Sequence, residues 1–201
     1  MSKRLPISSM RTSRYTIHTN VRRAYRALVP LKRLKAAIQH TLTAHAVRAG
    51  SALSLIVADD ETVQQLNREY RGVDAPTDIL SFPHEPFSEA MQEAMLAAAA
   101  SAGASGQGIA AELQPYLGDL IIALPYTQRC AAELGRPLED ELVLLVVHGT
   151  LHLLGYDHDT AEAQARMWQK QAELLAQLGI AELNIPHFTS GDSHEDSTDG
   201  D

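Results

Sequence analysis

No acidic residue precedes Asp59 in this chain. The stretch before it holds eleven of the 17 Lys and Arg: Lys3, Arg4, Arg11, Arg14, Arg22, Arg23, Arg26, Lys32, Arg33, Lys35 and Arg48. The remainder carries all 25 Asp and Glu, and the net charge is −8. Such asymmetry suits a polyanion partner such as nucleic acid, and it suits equally a solvated basic tail and helix face. Cysteine is nearly missing. Cys130 stands alone, so no internal disulfide can form. No apolar run approaches the ~20 residues that cross a bilayer. Lys3, Arg4, Arg11 and Arg14 are not followed by the apolar stretch of a secretory signal. The expectation is a soluble cytoplasmic protein with no membrane partner. Internal repeats are also lacking.

The 201 residues suffice for one domain of ~150 residues with extensions. Residues 1–13 read as a disordered basic extension, residues 14–186 as the folded domain, and residues 187–201 as a disordered acidic tail. His187 and His194 belong with that tail. An Ala/Gly/Ser-rich low-complexity insertion interrupts the domain at about 90–112. Strands are expected at Tyr15–Thr19, Leu53–Val57, Ile79–Phe82 and Leu117–Leu124. Pro30 opens a helix to about Ala49 with Leu31, Leu34, Ile38 and Leu42 on one face. Asp59 or Asp60 caps a second helix with Val63, Leu66 and Tyr70 inward. A third spans Pro125–Leu134. Pro137 opens a long apolar fourth. Asp159 or Thr160 caps a fifth, running to about Leu178 with Ala165, Trp168, Ala172 and Leu175 inward. The class is α+β, a single small mixed sheet of about four strands covered by helices.

The fourth helix carries the densest signal, His148-Gly149-Thr150-Leu151-His152-Leu153-Leu154-Gly155-Tyr156-Asp157-His158. Two histidines four apart stack on one helix face. Gly155 permits the left-handed turn that lets His158 fold back toward them. Three imidazoles around one point form a catalytic metal site with a fourth position open. Ordinary helix and turn histidines are the plainer alternative. Burying two among Val146, Val147, Leu151 and Leu153 is costly without a partner. The spacing is that of the metzincin peptidases, but Gly149 stands where their general base, a Glu, belongs.

A second constellation runs from Leu66 to Pro83: Leu66-Asn67-Arg68-Glu69-Tyr70-Arg71-Gly72, then Val73-Asp74-Ala75-Pro76, then Thr77-Asp78-Ile79-Leu80-Ser81-Phe82-Pro83. Arg71 stands at a helix end and suits either a phosphate, through its planar fork, or the helix dipole. Asp78 and Ser81 are either turn and strand residues or walls of a site.

These two segments, with Leu117-Gly118-Asp119-Leu120-Ile121-Ile122 between them, resemble the YbeY family of bacterial endoribonucleases over roughly residues 50 to 178. The resemblance implies a zincin-like metal-dependent hydrolase fold. It places the family's metal-binding triad on His148, His152 and His158, and its functional arginine on Arg71. It further implies cleavage of single-stranded RNA, in 16S rRNA 3′-end maturation and ribosome quality control on the small subunit. One Zn2+ per chain is expected, because all three ligands are imidazoles. Arg71 would hold the scissile phosphate. Asp157 or Asp119 would orient a ligand imidazole. Water and the RNA's own 2′-hydroxyl both fit as attacking oxygen. Two other classes compete: a metal-stabilised ribosome-associated binding module and a metallopeptidase.

Overall fold

The computed structural model describes residues 14–84 and 115–180. The expected extension at 1–13, the insertion at 90–112 and the tail at 187–201 lie outside the described residues. Four strands form one sheet: β1 (Thr16–Val21), β2 (Ala52–Ala58), β3 (Ile79–Pro83) and β4 (Tyr116–Ala123). Their order is β1-β2-β4-β3. β1 and β4 run parallel to β2, and β3 runs antiparallel to β4 at one edge. The five helices among the described residues are α1 (Leu31–Ala44), α2 (Asp60–Arg71), α3 (Leu124–Glu133), α4 (Leu138–Leu153) and α5 (Ala161–Gln177). The class is therefore α+β, as the patterning predicts. No helix of the described residues is long and apolar enough to cross a membrane.

Strand side chains alternate between two cores. Leu53, Leu55, Val57, Leu120 and Ile122 join the larger core, with Leu34, Ile38 and Leu42 of α1 and the apolar body of α4. Ala58, Leu80, Ile121 and Ala123 face the other way, where Val63 of α2 covers them. α4 is buried almost all round, with twelve of its 16 residues inside. A helix apolar on every side can only sit in a protein interior or a membrane. Here α1, α5 and the sheet enclose it.

Caps match expectation at two helices. Asp59 accepts from the Thr62 backbone N–H, and Thr160 from that of Ala163. α1 ends sooner than predicted, at Ala44 instead of near Ala49. Ala46 takes a left-handed φ of 51°, and the Val47 N–H closes back onto the Leu42 carbonyl. Val47 then packs on the core, which offsets the strain of a left-handed alanine. Two inward faces also differ. On α2 the buried residues are Val63 and Asn67, and Tyr70 is exposed. The Asn67 side-chain amide donates to the Ala75 carbonyl, so a polar residue takes the inner position. On α5 the buried residues are Met167, Gln171, Leu174 and Leu175; Ala165 and Ala172 are exposed and Trp168 is half-buried. Gln171 faces inward because it has a buried partner, described next.

Candidate active site

α4 delivers His148 and His152 one turn apart beneath the edge of the sheet. It ends in a tight closure. Gly155 adopts φ 84°, and the Tyr156 N–H bonds to the Leu151 carbonyl. This turn reverses the chain and brings His158 alongside the other two. One ring nitrogen from each histidine lies within 4.8 Å of the others. Ring centroids are 4.6 Å apart for His148 and His152, 5.1 Å for His152 and His158, and 5.9 Å for His148 and His158.

The remote nitrogens decide what the inner ones can do. His152 Nδ1 lies 2.9 Å from the Tyr156 carbonyl, which can only accept, so Nδ1 carries the proton. His148 Nδ1 lies 3.0 Å from the Gln171 amide oxygen and donates likewise. Both neutral rings then present a bare Nε2, and those two atoms are 3.0 Å apart. Two lone pairs so close repel unless a cation lies between them. A shared proton is disfavoured. Burial, then His152, hold the His148 imidazole down to about 3 from its ordinary 6.5. Burial, then His158, also lower His152, to which Arg71 adds a smaller push. Ligands of a tetrahedral zinc at 2.0–2.1 Å would stand roughly 3.3 Å apart, close to the spacing seen. The donor set therefore fits a divalent ion bound by neutral imidazoles.

Gly149 packs against the sheet. A Cβ there would meet Leu120 Cδ2 at 2.7 Å, Ile79 Cδ1 at 2.9 Å and Ser81 Oγ at 3.0 Å. No side chain fits without displacing β3 or β4 residues, so the position that holds a base in metzincins is closed by packing.

Above the histidines lies a pocket of roughly 280 Å³. Arg71, from the exposed end of α2, lines it together with His148, His152 and His158. Thr77, Asp78 and Ser81 of the loop and β3 form one wall, and Tyr126 and Cys130 of α3 another. Burial, then Cys130 and Asp78, push the Tyr126 hydroxyl up. Burial and Asp78 push the Cys130 thiol up, so it stays protonated and is a poor nucleophile.

The family model for Endoribonuclease YbeY matches residues 20–179. The chain belongs to the YbeY endoribonuclease family. YbeY relatives include that of Moorella thermoacetica, 42% identical over 150 residues, covering 75% of this chain and 87% of the relative. Those of Geobacillus thermodenitrificans and Bacillus subtilis are 38% and 37% identical over the same shares of each chain. A solution structure of TM1509 from Thermotoga maritima is similar at TM-score 0.47 and 20% identity, over 81% of this chain and 91% of that one. That likeness is too weak to carry the assignment.

The structure gathers the three histidines and Arg71 around one pocket. Asp78 and Ser81 are wall residues; Asp78 also accepts from the Ile79 N–H at the start of β3. At two of the histidines the imidazole supports differ from expectation: Gln171 holds the His148 ring and the Tyr156 carbonyl holds the His152 ring. Asp157 Oδ1 accepts from the His158 backbone N–H, and Asp119 accepts from the Tyr116 hydroxyl outside the pocket. Sequence reading missed Gln171, Tyr126 and Cys130. Only Gln171 had a signal, as a polar residue at a helix position whose neighbours Met167, Leu174 and Leu175 turn inward.

Proposed function

We propose that the chain is a metal-dependent endoribonuclease acting on single-stranded RNA in the cytoplasm, in 16S rRNA 3′-end maturation and ribosome quality control. One observation carries this: three convergent imidazoles and Arg71 line a single polar pocket. His148, His152 and His158 would hold one Zn2+. Bound there, the ion supplies Lewis acidity toward a water or a phosphoryl oxygen. The chain's residues do the rest. Gln171 and the Tyr156 carbonyl fix the ring tautomers so that Nε2 points inward. The Arg71 fork grips two non-bridging oxygens of the scissile phosphate and balances the charge that grows there. The raised Tyr126 hydroxyl stays protonated and is able to donate to that phosphate.

Two competing readings lose ground. A structural zinc takes four protein ligands, and three donors converge among the described residues. A peptidase needs a base beside the ion, and Gly149 has no room for one. The test is incubation of the zinc-loaded chain with labelled single-stranded RNA and with casein, each with and without a chelator. RNA cleavage lost on chelation is the expected result. Casein cleavage, or RNA cleavage indifferent to chelation, overturns the reading.

A further inference from the structure

Tyr70 is out of place for a core residue. Its spacing from Val63 and Leu66 marks an inward position, yet 63% of it is exposed. It is not loose. Its ring meets Phe82 edge to face, with centroids 5.1 Å apart and planes at 70°. One ring face is thus positioned while most of the side chain remains in water. Val73, just beyond the helix end, is also exposed, at 51%.

The location of Tyr70 gives this exposure meaning. Tyr70 and Arg71 are consecutive on α2, so their side chains leave the helix about 100° apart. Arg71 goes to the histidine pocket, where Ser81 of β3 faces it. Phe82, next along β3, points to the opposite side of the sheet, and Tyr70 follows it. β3 is the edge strand, so both side chains lie beside the same sheet edge. A strand of nucleic acid whose phosphate sits on Arg71 carries its bases to one side of that phosphate. An aromatic ring already held by an edge contact loses little freedom when a base covers it. Unpaired bases stack on such rings, and every base has a face to offer.

We propose that Tyr70 is a base-stacking platform for the nucleotide adjoining the phosphate held by Arg71. Phe82 fixes the ring from behind. The inference rests on the endoribonuclease reading and adds a substrate subsite to it. It explains in physical terms a preference for single strands, since a base inside a duplex cannot leave its stack to reach Tyr70 without unpairing.

The test uses the zinc-loaded full chain and a single-stranded RNA oligonucleotide carrying 2-aminopurine, read by stopped flow before turnover. Wild type and Tyr70→Phe should change the fluorescence of one labelled position, and Tyr70→Ala should not. KM on unlabelled RNA should rise about 5- to 10-fold in Tyr70→Ala, the low end for a stacked base because one flank of the ring stays wet. Its kcat, zinc content and Tm should stay near wild type. RNA with an abasic sugar at that same position should raise KM equally for wild type and add nothing to Tyr70→Ala. If Tyr70→Ala fails to fold, the abasic series on wild type and Tyr70→Phe decides alone. Normal fluorescence change and KM in Tyr70→Ala, or no sensitive abasic position, overturns the platform while leaving the nuclease reading intact. A wild-type chain that neither binds nor cleaves the RNA overturns the nuclease reading itself.

Discussion

Two helices meet at the pocket and present their chemistry in opposite ways. α4 is buried over most of its length, and His148 is only 2% exposed. α2 buries just Val63 and Asn67 and ends in the exposed pair Tyr70 and Arg71. A metal centre gains from burial, because a dry, packed frame holds its ligands in one geometry and keeps them neutral. A substrate contact gains from exposure, because a large ligand must reach it. The difference teaches that α4 should respond to change through stability and ion affinity, and the exposed end of α2 through substrate binding and turnover.

The largest effect should come from α4. His152→Ala removes the central ligand, and zinc content should drop from one per chain to a small fraction, as read by elemental analysis. The affinity loss should exceed the roughly 10–100-fold that removal of an outer partner costs. Undiminished zinc would break the ligand assignment. Gln171→Leu keeps the volume but leaves His148 Nδ1 without its amide acceptor. Zinc affinity should fall about 10–100-fold in competition with a chelator, and an unchanged affinity would show that packing alone orients the ring.

Arg71→Lys probes the other helix. Lysine keeps the charge and loses the two-pronged grip. Turnover on RNA should fall about tenfold or more, while zinc content and Tm hold. Equal losses of folding and activity would mean that Arg71 merely serves the α2 dipole.

Gly149→Ala sharpens the comparison on stability alone. Alanine gains up to ~1 kcal/mol in helix propensity, but contacts of 2.7–3.0 Å force the ends of the Leu120, Ile79 and Ser81 side chains to shift. Overpacking of this kind costs about 1–3 kcal/mol, so a net loss is expected in urea melts. A stabilised variant would show that β3 yields easily at this point.

The last effect is graded with pH. In the zinc-free chain His148 titrates near 3 when folded and near 6.5 when unfolded. Below about 6.5 the unfolded chain takes up a proton that the folded chain refuses. Stability is therefore full above that pH and declines as pH falls toward 3. The slope approaches ~1.4 kcal/mol per pH unit for His148. Zinc should suppress the decline until the ion leaves, and a flat profile in the zinc-free chain would mean that His148 is reached by solvent.

Local pattern made much of this molecule legible. The three histidines, the glycine turn and the apolar length of α4 are short-range features, and helical periodicity with left-handed glycine geometry converts them directly into position. The caps at Asp59 and Thr160 followed for the same reason, since a capping side chain acts within three residues. Arg71 was legible as a cation at a helix end; the fold adds that it lines the same pocket as the histidines, and Arg71→Lys separates its two roles. The errors share one cause. Tyr70, Ala165 and Ala172 were assigned to inward faces by apolarity, Gln171 was passed over, and which face is buried depends on partners distant in sequence. Asn67 turns inward because the Ala75 carbonyl waits there, and Gln171 because His148 does. Gly149 carries both lessons. Its sequence position showed that no peptidase base is present. Only the approach of Leu120, Ile79 and Ser81 showed why none could be accommodated, because close packing between a helix and a sheet is a property of the assembled layers and not of either strand of text.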